Sequence, residues 1–249
     1  MVKKIILKKI FSKIMNISKI KDNLSTIILC GGRGKRLYPL TKNIPKPLIK
    51  IKNKEILCYI LNHLSNFKIN DIILATGYKH KIFLNFHSKI KNKSNIKILN
   101  TGEDEDIIKR ILKCEKICKD YILICYGDTL VDLDIDKLIS FFLKNQNKIT
   151  LSSYNFKSQF GLMKVAKNGD VKSFIEKPDL GLYFNIGFFI MKKEKLKTLK
   201  SFKSFKSFLE NKTSKPIFRS FIHKGSHITV NTISELSIAK EKLNEMKYA

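Results

Sequence analysis

From Ser25 onward the chain alternates short apolar runs with longer stretches whose apolar positions recur at helical spacing. The runs STIILC at 25–30, DIILA at 71–75, IKIL at 96–99 and DYILIC at 120–125 predict strands, and the stretches 54–67, 79–90 and 105–118 predict helices between them. Strand, helix, strand in repetition makes βαβ units, hence an α/β fold with a mainly parallel sheet and helices on both faces. After about residue 150 the texture becomes strand-like around Gly161, Gly169 and Gly187, read as a mixed extension of the same sheet plus a second lobe. Asn168-Gly169 marks a hairpin turn there. A terminal helix is expected over 233–247. The phenylalanine triplets of KSFKSFKSF (200–208) have period three, which fits neither helix nor strand well, and carry no assigned function.

Residues 1–23 stand apart. They hold seven lysines and one acid, with Ile6, Ile10, Ile14, Ile17 and Ile20 near helical spacing. Lysines interrupt every apolar run before it reaches the length of a secretory signal core. The segment reads as a basic amphipathic extension suited to an anionic membrane surface or a partner. A dispensable extension, with Met15 as the true start, is the plainer alternative.

A formal net charge of +28 raises nucleic acid as a partner. Of 49 basic residues, however, 45 are Lys and four are Arg, beside abundant Ile and Asn, the skew of an AT-rich coding sequence. Most of the charge is therefore read as solvated lysine surface, with no specific nucleic-acid role. Arginine, in contrast, is concentrated: Arg33 and Arg36 are two of the four. A planar guanidinium fork binds phosphate in a way lysine does not. Five cysteines, Cys30, Cys58, Cys114, Cys118 and Cys125, form no paired framework, and the odd number fits a reducing cytoplasm. Cys114/Cys118 and His223/His227 are read as packing or surface residues, not metal ligands.

The two arginines lie in LCGGRGKRLYPLTKNIPKPLIKI (29–51), directly after the first strand and so at the carboxyl edge of the sheet, where open α/β proteins bind ligands. A P-loop would need glycine at Leu29 and Ser or Thr at Arg36; a G-x-G-x-x-G loop would need glycine at Leu37. What remains is a loop whose glycines let backbone N–H groups approach a polyphosphate, while Pro45 and Pro47 fix the projection of Lys46.

This stretch resembles the signature loop of the sugar-phosphate nucleotidyltransferases, which make nucleoside-diphosphate sugars. The likeness runs through most of 25–240: TGYKHKIFLNF (76–86), CYGDTLVDLDIDKLI (125–139), FGLMKVAKNGDVKSFIEKP (160–178) and NIGFFIM (185–191) follow in the family's order, most like its glucose-1-phosphate cytidylyltransferase branch. LYPLT is more like the thymidylyl and guanylyl relatives. The resemblance implies a Rossmann-like three-layer αβα domain over 24–249, with a nucleotide-binding half to about 150 and an acceptor-binding half beyond. It implies that Leu29, Gly31, Gly32, Gly34, Lys35, Arg36, Lys46, Gly77 and Gly127 hold the nucleotide, and that Asp128 is a magnesium ligand. Glu176, Lys177, Asn185 and Gly187 match the acceptor pocket. Arg36, Lys46, Asp128 and Lys177 would carry catalysis, by positioning and charge neutralisation at an in-line attack on the α-phosphorus.

The chain departs from the family twice. Where members usually have a second magnesium-binding aspartate, this chain has Asn231, a weaker ligand for a hard cation. At 101–111, where the cytidylyl branch has a longer glycine-containing segment, it has Glu103, Asp104, Glu105 and Asp106, read first as a carboxylate-rich helix start and, more sharply, as a change of acceptor. Asp132, Asp134 and Asp136 are expected to start the next helix. The expectation is an Mg²⁺-dependent cytoplasmic nucleotidyltransferase, CTP and a sugar 1-phosphate favoured, with self-association left open. Phosphocholine or a phosphorylated amino acid as acceptor, or a non-catalytic binding protein, are the alternatives.

Overall fold

The computed structural model describes residues 2–89, 95–146, 148–211 and 216–246. In chain order, helix α1 (Val2–Asp22) leads into β1 (Leu24–Cys30); the glycine loop follows, then the short strands β2 (Lys50–Ile51) and β3 (Lys54–Glu55) and helix α2 (Ile56–Asn66). Next come β4 (Asp71–Thr76), α3 (His80–His87), β5 (Asn95–Asn100), α4 (Ile107–Lys113), β6 (Tyr121–Tyr126), β7 (Thr129–Val131) and α5 (Ile135–Leu143). The second half contains β8 (Ile149–Lys157), β9 (Leu162–Val165), β10 (Val171–Ile175), β11 (Asp179–Lys192), α6 (Leu196–Leu199), α7 (Phe205–Leu209), β12 (Phe218–His223), β13 (His227–Thr229) and α8 (Ile233–Lys242).

Seven strands form one sheet in the order β12-β8-β11-β6-β1-β4-β5. β11 runs antiparallel to β6 and β8, and the other neighbours are parallel, so the second half extends the first half's sheet. Alternate residues serve two cores, as the strand period of two requires. Leu24, Ile28, Leu74, Leu123 and Cys125 face α2, α3, α5 and α8, whereas Ile27, Ile73, Ile122 and Ile124 face α4, α6 and α7. Burial on both faces explains the unbroken apolar runs of the central strands.

Two expectations change. The helix expected over 105–118 is α4 followed by a 3₁₀ turn at Glu115–Ile117, because Asp106 caps it late, accepting from Ile108 N at 2.9 Å. The phenylalanine triplets do have a structural period: Phe205 and Phe208 lie one turn apart on α7 and are buried, Phe202 packs beside them, and Ser204 caps the helix. Of the histidines read as packing or surface residues, His223 is buried and His227 stacks on Tyr154. The ends expected at Ile90 and Lys247 lie outside the described residues. The turn at Asn168-Gly169 joins β9 to β10, a ribbon exposing Met163, Val165, Val171 and Phe174.

Candidate active site

Parallel strands β1, β4, β5 and β6 end on one edge, so the turns after them, at Gly31, Gly77, Thr101 and Gly127, converge. The glycine loop is pinned from both sides: Tyr78 N donates to Gly31 O at 3.1 Å, and the Tyr78 hydroxyl donates to the Thr41 and Lys42 carbonyls, each at 3.0 Å. Gly34 has φ +61°, and a Cβ there would come 3.1 Å from both Thr41 and Lys46 side-chain carbons. Only glycine meets both demands without strain.

Lys46 opens a 3₁₀ turn between Pro45 and Pro47 and is only 7% exposed. Its ammonium donates to Asp128 Oδ2 at 2.5 Å and to Asn231 Oδ1 at 2.9 Å, and Arg36 Nη2 donates to the same amide oxygen at 2.9 Å. Asp128 follows β6. Asn231 is brought opposite it by the β7–β13 ladder, in which Thr129 pairs with Thr229 and Val230 N bonds Asp128 O. Asn231 N in turn donates to Glu235, whose carboxylate also closes the capping box of α8 with Thr232. Two cations, one carboxylate and one amide thus meet at the end of the loop. A cleft of about 640 Å³ opens there, lined by Arg36, Tyr126, Asp128, Asn185, His227 and Asn231 among others.

At the positions expected to hold the acceptor, Asn185 Oδ1 accepts from Gly187 N at 2.9 Å and its amide donates to the Tyr126 hydroxyl at 3.3 Å. Burial and the nearby Asp128 charge push the Tyr126 phenol up to about 12, so it stays protonated and able to donate. Burial lowers His227 to about 4, leaving it neutral against Tyr154 and Phe184. Glu176 and Lys177 stand exposed between β10 and β11, and neither lines this cleft; Lys177 has φ 43°.

The acidic segment takes a different place from the helix start first expected. Asp106 alone caps α4, whereas Asp104 accepts from Arg33 Nε at 3.0 Å and Nη2 at 3.1 Å, and Glu103 pairs with the same guanidinium at 2.9 Å. Arg33 holds the Asp104 carboxyl below the usual carboxylate range. Of the three aspartates expected to start α5, Asp134 caps it and Asp136, in its first turn, pairs with Lys21. Asp132 instead accepts from Ser226 N at 2.6 Å and lies 3.0 Å from His223 Nε2, fixing the turn before β13.

Sequence reasoning missed Arg110. It is 4% exposed and donates to Thr101 Oγ1 (2.8 Å), Gly102 O (2.6 Å) and Glu103 O (2.8 Å), beneath the loop. A Cβ on Gly31 would fall 1.8 Å from its Nη1. Its rarity was the available signal: it is a third of the four arginines gathered at this edge.

No group of three or more His, Cys, Asp or Glu among the described residues could hold a metal by itself. One carboxylate beside an amide oxygen does suit a hard cation that completes its shell with substrate phosphates and water. Asp128 and Asn231 fit that description.

Fold and site together define an α/β protein with a glycine-rich loop and a polar cleft at the sheet's carboxyl edge, the place where open α/β sheets bind ligands. The Nucleotidyl transferase family model matches residues 25–231, and the chain belongs to that family, an enzyme family. It is 31% identical over 193 residues to the glucose-1-phosphate cytidylyltransferase of Salmonella typhimurium, covering 68% of this chain and 75% of the relative. It is 32% identical over 194 residues to a Bacillus subtilis protein named "Probable glucose-1-phosphate cytidylyltransferase", covering 68% and 74%. The crystal structure of HddC from Yersinia pseudotuberculosis superposes with a TM-score of 0.68 at 24% identity, covering 88% of this chain and 99% of HddC. That likeness speaks to the fold.

Proposed function

We propose that this chain joins a nucleoside triphosphate, CTP by preference, to a sugar 1-phosphate, releasing pyrophosphate. The observation that carries the reading is the convergence of Arg36, Lys46, Asp128 and Asn231 at the end of the glycine loop, beside a cleft large enough for a second substrate. The two cytidylyltransferase relatives support the choice of base and acceptor. An acceptor phosphate oxygen attacks the α-phosphorus, the bond from that phosphorus to the β-phosphate bridging oxygen breaks, and pyrophosphate leaves. A phosphate oxygen is already a nucleophile, so the protein's task is to bring two polyanions together. Loop N–H groups with Arg36 and Lys46 take the triphosphate, while Asn185 and Tyr126 offer hydrogen bonds to the acceptor. Lys177 is assigned the acceptor phosphate on its family motif. Asp128, with Asn231, would hold Mg²⁺, which when bound supplies Lewis-acid charge to the phosphates.

Pyrophosphate release is to be screened with four NTPs against sugar 1-phosphates, phosphocholine and phosphorylated amino acids. CTP with a sugar 1-phosphate should be fastest, and Asp128→Ala and Lys177→Ala should each lower kcat/KM by about 10²-fold or more. Unchanged turnover in both variants would sink the site assignment, and release with a non-sugar acceptor alone would overturn the acceptor class.

A further inference from the structure

We propose that α1 is an interfacial anchor that seats the protein on an anionic lipid bilayer. The helix is 21 residues long, about 30 Å, and among its described side chains, from residue 11 on, it is secured near its C-terminal end. There Ile20 is 4% exposed, Ile17 packs against the core, and Lys21 pairs with Asp136. Every residue from 11 to 16 is exposed. Phe11 is 66% exposed, Ile14 59% and Met15 44%, and their spacing puts them on one side of the helix. Lys13 and Lys19 are exposed on the same helix, and residues 1–23 carry seven lysines against one acid.

An apolar side with surrounding lysines is the pattern of a helix lying in the lipid headgroup region. Charge complementarity selects an anionic surface. Among the described residues no helix is long and apolar enough to cross a membrane, so the helix lies on the bilayer. Nucleic acid would satisfy the lysines but leave Phe11, Ile14 and Met15 in water. The anchor also leaves the cleft free: α1 enters β1 at Leu24, whereas the glycine loop leaves the opposite end at Gly31.

The chain has no Trp, so Phe11→Trp in the full-length protein gives a single reporter. Its emission should shift to the blue, and the protein should co-sediment, with phosphatidylglycerol-containing vesicles at low salt but not with phosphatidylcholine vesicles. Phe11→Ser/Ile14→Ser/Met15→Ser and, separately, Lys13→Glu/Lys19→Glu should each weaken partitioning about tenfold, with Tm and pyrophosphate release unchanged. No binding to anionic vesicles, equal binding to neutral ones, retention in either variant, or the same emission shift on duplex DNA would each overturn the proposal.

Discussion

Lys46 is the residue on which the site closes. Its ammonium is buried between Asp128 and Asn231, so Lys46→Ala removes a cation from the proposed phosphate site and strips the Asp128 carboxylate of its ion-pair partner. A fall in kcat/KM of about 10²- to 10³-fold is expected in steady-state pyrophosphate assays. Gly31 is constrained for a different reason, the Arg110 guanidinium lying where a side chain would go. Gly31→Ala should displace Arg110 and lower stability by about 1–3 kcal/mol, readable as a lower Tm. Adding Arg110→Ala should cost much less in the Gly31→Ala background than in the parent. At this scale the loop was legible because glycine, arginine and proline sit together within one short stretch. The partners of Arg33 were not, since Glu103 and Asp104 lie some seventy residues on and meet it only through the edge of the sheet.

Elements position these side chains. β13 is three residues long, and besides its ladder with β7 it is anchored by the Asp132 carboxylate, which accepts from Ser226 N and faces His223. Asp132→Ala should destabilise by about 1–3 kcal/mol through the unsatisfied groups it leaves. It should also raise KM for the nucleotide, because Asn231 lies two residues beyond β13; an unchanged KM would mean that the β7 ladder holds the strand in place without Asp132. The central strands and most helices could be read from periodicity, as both faces of β1, β4 and β6 are buried. α7 could not, because five residues are too few to show a helical period and only packing reveals that Phe205 and Phe208 share a face. Phe208→Ala should cost about 3–5 kcal/mol in chemical denaturation.

For the whole molecule, acid should be the weak side. Burial lowers both His63 and His227 to about 4 from the ordinary 6.5. Between those values the unfolded chain binds protons that the folded chain refuses, so stability contributed by the neutral rings falls as pH drops from about 6.5 toward 4. Thermal melts across that window should show Tm declining, and His227→Phe should shallow the decline. The α/β class was visible in the order of elements, while the depth at which these histidines sit depends on distant partners, Phe188 of β11 for His63 and Tyr154 of β8 with Phe184 of β11 for His227.

The junction of Lys46, Asp128 and Asn231 has a temporal meaning as well. Its hydrogen bonds span 82 and 185 positions, and that from Arg36 spans 195. On the ribosome, the glycine loop is therefore made early and remains open-ended while the rest of the sheet is still being translated. The junction closes only when Asn231 has emerged and the start of α8 holds its backbone through Glu235, so the loop's completion waits on residues translated long after it.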